Sequence, residues 1–151
     1  MAASSGGATA PGATVPGGTA ELNKDGTATP PADAPPEVVE FIQAANRIED
    51  KPYKYGGGHA KVNDSGYDCS GAVSYGLIKA GLLKDPLDSS GFMKWGDRGK
   101  GSWITVYSNP GHAYAVIAGL RWDTSMTPGD GPGWSKDMRS SDGFKVRNKG
   151  L

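Results

Sequence analysis

All thirteen aromatic residues of this 151-residue chain (4 Trp, 6 Tyr, 3 Phe) lie after Pro36. Before that point Gly, Pro, Ala, Ser and Thr fill 28 of 36 positions. A segment without aromatics and with almost no large aliphatics buries too little surface to offset the entropy of ordering it. Residues 1–36 therefore read as a flexible linker, and residues 37–151 as one domain with one core. The 24 glycines and 11 prolines of the whole chain add that the domain is rich in loops.

Charge narrows the function. Sixteen Lys and Arg balance sixteen Asp and Glu. A nucleic-acid binder normally carries a basic excess, so the balance argues against that class. No apolar run approaches the ~18 residues of a membrane span. The start shows no basic segment followed by an apolar one, which leaves two readings open. The chain is cytoplasmic, or it is a trimmed secreted chain that begins inside a tether.

Periodicity within 37–151 predicts an α+β domain. Val38, Phe41, Ile42, Ala45 and Ile48 mark an amphipathic helix over 36–49. A Gly-rich loop spans Pro52 to Gly66. A second helix runs from Cys69 to Ala80, its Ala72, Gly76 and Ala80 face so small that something must pack closely on it. Strands are expected at Trp103–Tyr107 and His112–Ala118, joined by the Pro110-Gly111 turn, with a return arm at Arg121–Thr124. The stretch Ser125–Ser141 reads as loop, and Gly143–Arg147 as a last short strand. Helices first and strands later suggest helices packed on an antiparallel sheet.

The single cysteine excludes an internal disulfide and a Cys-rich zinc site. It stands in Gly66-Tyr67-Asp68-Cys69-Ser70-Gly71. Asp68 is a good N-cap, which places Cys69 in the first helical turn, where unpaired N–H groups and the positive dipole end favour thiolate. Those groups also suit a developing oxyanion. The bland alternative is a buried structural cysteine. A nucleophilic cysteine needs a base, and the choices are His59 and His112. His59 sits in a Gly-rich loop and reads as exposed and without a task. His112 opens a strand, which holds a side chain more rigidly. If the chain reverses near Gly119, Asp123 comes beside His112 to orient it, with Thr124 or Ser125 as alternatives if the register slips. Tyr53 could donate to an oxyanion, although tyrosines spaced by two, such as Tyr53 and Tyr55, also suit strand packing.

Three stretches together resemble the NlpC-type cell-wall cysteine peptidases, which are papain-like peptidoglycan hydrolases. They are Pro52-Tyr53-Lys54-Tyr55-Gly56-Gly57, the Asp68-Cys69-Ser70-Gly71 core, and Gly111-His112 before an apolar strand. The resemblance covers roughly 37–125, and Ser89-Ser90-Gly91-Phe92 is similar to the family's segment between helix and sheet. The family's Pro-Gly-Asp before the sheet is replaced here by Gly99-Lys100-Gly101-Ser102, and 125–151 has no counterpart.

The resemblance implies Cys69 as nucleophile, His112 as base, Asp123 as the third polar residue and Tyr53 near the nucleophile. It also implies Asp68, Ser70 and Ser90 as contacts to the substrate, the first two at the free amine end of a peptidoglycan stem peptide. The implied activity is amide hydrolysis, at the bond from D-glutamate to the diamino acid, by a monomer needing no metal or organic cofactor. A secreted, cell-wall location follows from the resemblance. A non-catalytic peptide-binding module and a thiol acyltransferase are the competing functions.

Overall fold

The computed structural model describes residues 14–125 and 131–151. Two short strands, β1 (Glu21–Leu22) and β2 (Ala28–Thr29), precede helix α1 (Pro36–Ile48). Helix α2 (Cys69–Lys79) and the short α3 (Ser89–Phe92) follow. Then come β3 (Asp97–Arg98), β4 (Ile104–Asn109), β5 (His112–Ile117), β6 (Leu120–Asp123), β7 (Gly133–Ser135) and β8 (Lys145–Asn148). The last six strands form one antiparallel sheet in the order β3-β8-β4-β5-β6-β7. The expected α+β class, and each helix and strand expected before residue 125, match within a few residues.

The core lies between the helices and one face of the sheet. Alternation along β5 sends Ala113, Ala115 and Ile117 inward, where they are fully buried. Small side chains there let α2 come close, and the indole N–H of Trp122 on β6 donates to the Ala72 carbonyl at 3.0 Å. The small face of α2 has its own partner. A Cβ on Gly76 would lie 2.5 Å from the ring of Phe41, so glycine there lets α1 pack directly onto α2. Burying Phe41 stabilises this contact by about 1.5–3 kcal/mol relative to leaving it in water.

The tight β5–β6 turn positions the site. Ala118 and Gly119 both have positive φ (48° and 88°), which matches the twist of a two-residue hairpin. Ala118 tolerates this left-handed conformation at some cost. Hydrogen bonds from Ala118 N–H to Trp103 O (2.9 Å) and from Ala20 N–H to Ala118 O (2.8 Å) hold it in place.

That second bond corrects the expected linker. Residues 14–36 pack on the domain, and only 1–13 of that linker fall outside the described residues. Val15 N–H donates to Pro30 O (2.9 Å), and Ala32 N–H to Val15 O (2.7 Å). Ala28 is fully buried, and Asn46 of α1 grips both its N–H (2.9 Å) and its carbonyl (2.7 Å). Small side chains contribute little apolar area here. Backbone hydrogen bonds, which composition does not register, do the anchoring. The stretch expected as loop over Ser125–Ser141 also needs correction. It contains β7, whose Trp134 packs on Trp122 at 4.8 Å between centroids and donates to the same Asn46 at 3.0 Å. Residues 126–130 of that stretch lie outside the described residues.

Candidate active site

Cys69 is the first residue of α2, as its N-cap predicts. The Asp68 carboxylate accepts from Gly71 N–H at 2.7 Å. The approach is tight: a Cβ on Gly71 would lie 2.0 Å from the Gly57 carbonyl, so glycine is required there. The cysteine is half-buried at the floor of a cleft whose walls include Tyr53, His59, Ser70, Ser90 and Gly111. Its sulfur lies 3.7 Å from the Ser89 hydroxyl. Ser89 is fixed in turn by Ser108, whose hydroxyl donates to its carbonyl.

His112 opens β5 and interacts with the Cys69 thiol, lowering the thiol and raising the imidazole. Its Nε2 lies 2.8 Å from Asp123 Oδ1, which leaves Nδ1 as the nitrogen for the sulfur. The Asp123 side chain has no exposure. Such a buried carboxylate needs partners. Thr124 N–H (2.8 Å), Ser125 N–H (3.2 Å) and the Ser125 hydroxyl (3.0 Å) donate to Oδ1. The guanidinium of Arg139 reaches Oδ2 at 3.0 Å, and Arg121 Nε stands 3.3 Å away. Of the three alternatives for the third residue, the structure sets Asp123 against His112, while Thr124 and Ser125 serve Asp123.

The electrostatics follow from this chain of contacts. Burial pushes the Cys69 thiol up, but hydrogen bonds from His112, the Ala113 N–H and Ser89 outweigh it and leave the thiol below its ordinary value. Burial pushes His112 down, yet its bonds to Asp123 and Cys69 raise it to about 9. Burial likewise opposes the ionised Asp123, and His112 with Arg139 and Ser125 overcomes that and holds the carboxyl below the usual range. All three shifts favour the charged row of thiolate, imidazolium and carboxylate.

The remaining expected residues sit around this row. Tyr53 is 43 % exposed on the cleft wall, bridged to Tyr67 through the backbone. Partial burial, then the nearby charges of Cys69 and Asp68, raise its phenol, which keeps the O–H protonated. Ser90 is exposed at the rim. Ser70 is buried, its hydroxyl 3.2 Å from His59 Nε2.

His59 departs from expectation. It is not an idle exposed residue: Nε2 lies 2.8 Å from Asp68 Oδ1, within the same cleft as Cys69. Its loop is held by Asp64, which accepts from Gly58 N–H (3.1 Å) and Lys54 Nζ (2.8 Å). Arg139 is the other residue that sequence reasoning passed over. It lies over the rings of Tyr114 (5.1 Å) and Phe144 (5.5 Å), in a segment with no recognised pattern. Among the described residues no group of His, Cys, Asp and Glu could hold a metal ion.

No family model and no curated protein matches the chain. A solved structure does: the P60 domain of an antigen from M. avium subspecies paratuberculosis, with a TM-score of 0.56 at 22% sequence identity. The match covers 74% of this chain and 93% of that one. The fold is that of a P60 domain. P60 domains are of the NlpC type, so the fold expected from the Gly66–Gly71 stretch and its companions agrees with a solved relative. In this P60-type fold the cysteine helix and the histidine strand meet at one end of the sheet, where the cleft opens.

Proposed function

We propose that the chain is a cysteine amide hydrolase that cuts peptidoglycan stem peptides, at the bond between D-glutamate and the diamino acid. The observation that carries this reading is that Cys69 at the start of α2 interacts with His112, which is itself 2.8 Å from Asp123, beside an open cleft. The P60-type fold supports the substrate class, because the resemblance to cell-wall peptidases and the solved neighbour point to the same domain.

The thiolate of Cys69 attacks the scissile carbonyl. The oxygen that becomes negative is met by N–H groups of the first turn of α2, which have no intrahelical acceptors, and by the Tyr53 hydroxyl. His112, held in orientation by Asp123, passes its proton to the leaving amine, and the thioester forms. His112 then takes a proton from water, whose oxygen attacks the thioester and restores the thiol. Asp68 and Ser70, which flank the cysteine, receive the amine end of the peptide, and Ser90 contributes a further substrate contact. An extracellular location belongs to this proposal. Among the described residues no helix is long and apolar enough to cross a membrane.

The test is digestion of purified peptidoglycan with mass spectrometry of the released fragments. The expected products carry a new amine on the diamino acid and a new carboxylate on D-glutamate, and Cys69→Ala releases none. Release that persists in Cys69→Ala refutes the assignment.

A further inference from the structure

Beside the cleft, between the end of α3 and β8, runs a groove of about 630 Å³. Met93, Phe144 and Val146 give it an apolar floor, and Lys94, Arg98, Lys145 and Arg147 ring it. Among the described residues no carboxylate lines it. In a chain with equal numbers of cations and anions, four cations around one hollow are a segregation of charge rather than a background. Lys94, Arg98 and Lys145 are exposed. The Arg147 guanidinium is pinned by three carbonyls, of Trp95 (2.7 Å), Gly96 (2.9 Å) and Lys94 (3.2 Å), none of which cancels its charge.

The groove connects to both reacting groups through one residue or element each. Phe144 lines it and stands edge-on to the His112 ring, 6.5 Å between centroids. Met93 and Lys94 follow directly on α3, whose Ser89 touches the Cys69 sulfur. The Cys69 cleft is lined by Asp68 and Asp88 instead. The hollow that holds Cys69 therefore carries carboxylates, and the groove reached through Phe144 and α3 carries cations.

We infer that this groove binds a free carboxylate on the leaving half of the substrate. The inference rests on the hydrolase reading for its direction: His112 protonates the leaving amine, so the leaving fragment departs on the side of His112 and Phe144. A substrate with an amine at one end and a carboxylate at the other matches the two charges. Lys94, Arg98 and Lys145 would grip the carboxylate through charge-assisted hydrogen bonds, and Met93 and Phe144 would cover the chain between it and the cut bond.

The experiment uses the Cys69→Ala chain and measures binding of a diamino acid–D-alanine dipeptide with free carboxylates against its carboxamide form, at low salt. Amidation should weaken binding roughly tenfold, the order expected for losing one charge-assisted contact. The Lys94→Gln/Lys145→Gln double variant should erase most of that difference, and amide NMR shifts on adding the dipeptide should centre on Phe144 and Val146. Equal binding of the two forms overturns the inference. So does a preference that survives in the double variant, or one whose shifts fall elsewhere. Parallel cleavage assays on a matched acid and amide tetrapeptide keep the two readings apart. Cutting both at equal rates sinks the groove's role and leaves the hydrolase standing. Cutting neither sinks the hydrolase, and the binding comparison still decides what the groove takes.

Discussion

Two histidine–aspartate pairs flank Cys69, and by distance they are the same. His59 and Asp68 lie 2.8 Å apart, as do His112 and Asp123. Their surroundings differ. The Asp68 side chain is 16 % exposed and spends one oxygen capping α2, whereas Asp123 has no exposure and is gripped by Arg139 and two backbone N–H groups. The other side of the His112 ring meets the thiol, while His59 Nε2 also meets the Ser70 hydroxyl. A short contact alone does not make a catalytic pair. What decides is where the free face of the ring points and how firmly the carboxylate is held.

The sharpest way to break this comparison is to delete each imidazole. His112→Ala should lower kcat by roughly 10²–10⁴-fold, the usual worth of a general acid–base. A loss just as large in His59→Ala would erase the distinction. Asp123→Asn keeps the shape and removes the charge that raises His112. The expected loss is ten- to a hundredfold in kcat with KM little changed, from one charged hydrogen bond of about 1.5–3 kcal/mol. Arg139→Met should cost about tenfold at most, because the Thr124 and Ser125 donors still hold Asp123. Arg139→Lys should recover part of it by restoring the charge without the fork. His59→Ala closes the series. It removes a partly exposed contact worth about 1 kcal/mol, so a several-fold rise in KM with kcat nearly intact is expected.

The same comparison explains what was legible in the sequence. Asp68-Cys69 announces itself because an N-cap acts within three residues, so the cap and the helix start are both local. His112 could be read from the Pro110-Gly111 turn, and Asp123 from a reversal at Gly119, because hairpin register runs along the chain. The pairing Ala115↔Trp122 brings the end of β6 beside His112, and the 2.8 Å side-chain contact to His112 singles out Asp123 over Thr124 and Ser125. Arg139 was not legible. It returns to Asp123 from sixteen residues away, across a segment without a periodic pattern. His59 reads as idle in sequence because flanking glycines look mobile, whereas the Asp64 contacts that fix the loop depend on its folded shape. The packed segment 14–36 escaped for a related reason: its anchors are backbone groups meeting Asn46 and Ala118, and composition carries no trace of a hydrogen-bond partner.

The account stands on the ion pair between Cys69 and His112, and alkylation of the thiol across pH tests it most directly. With the thiol lowered and His112 raised to about 9, the pair exists between those two values. Iodoacetamide should therefore label the wild-type chain below the ordinary thiol pKa of ~8.5. A second change in rate is expected near pH 9, as the imidazolium loses its proton. In His112→Ala the reaction should revert to a single rise at or above the ordinary thiol value. Identical profiles in the two proteins, both rising only where a free thiol ionises, would contradict the account.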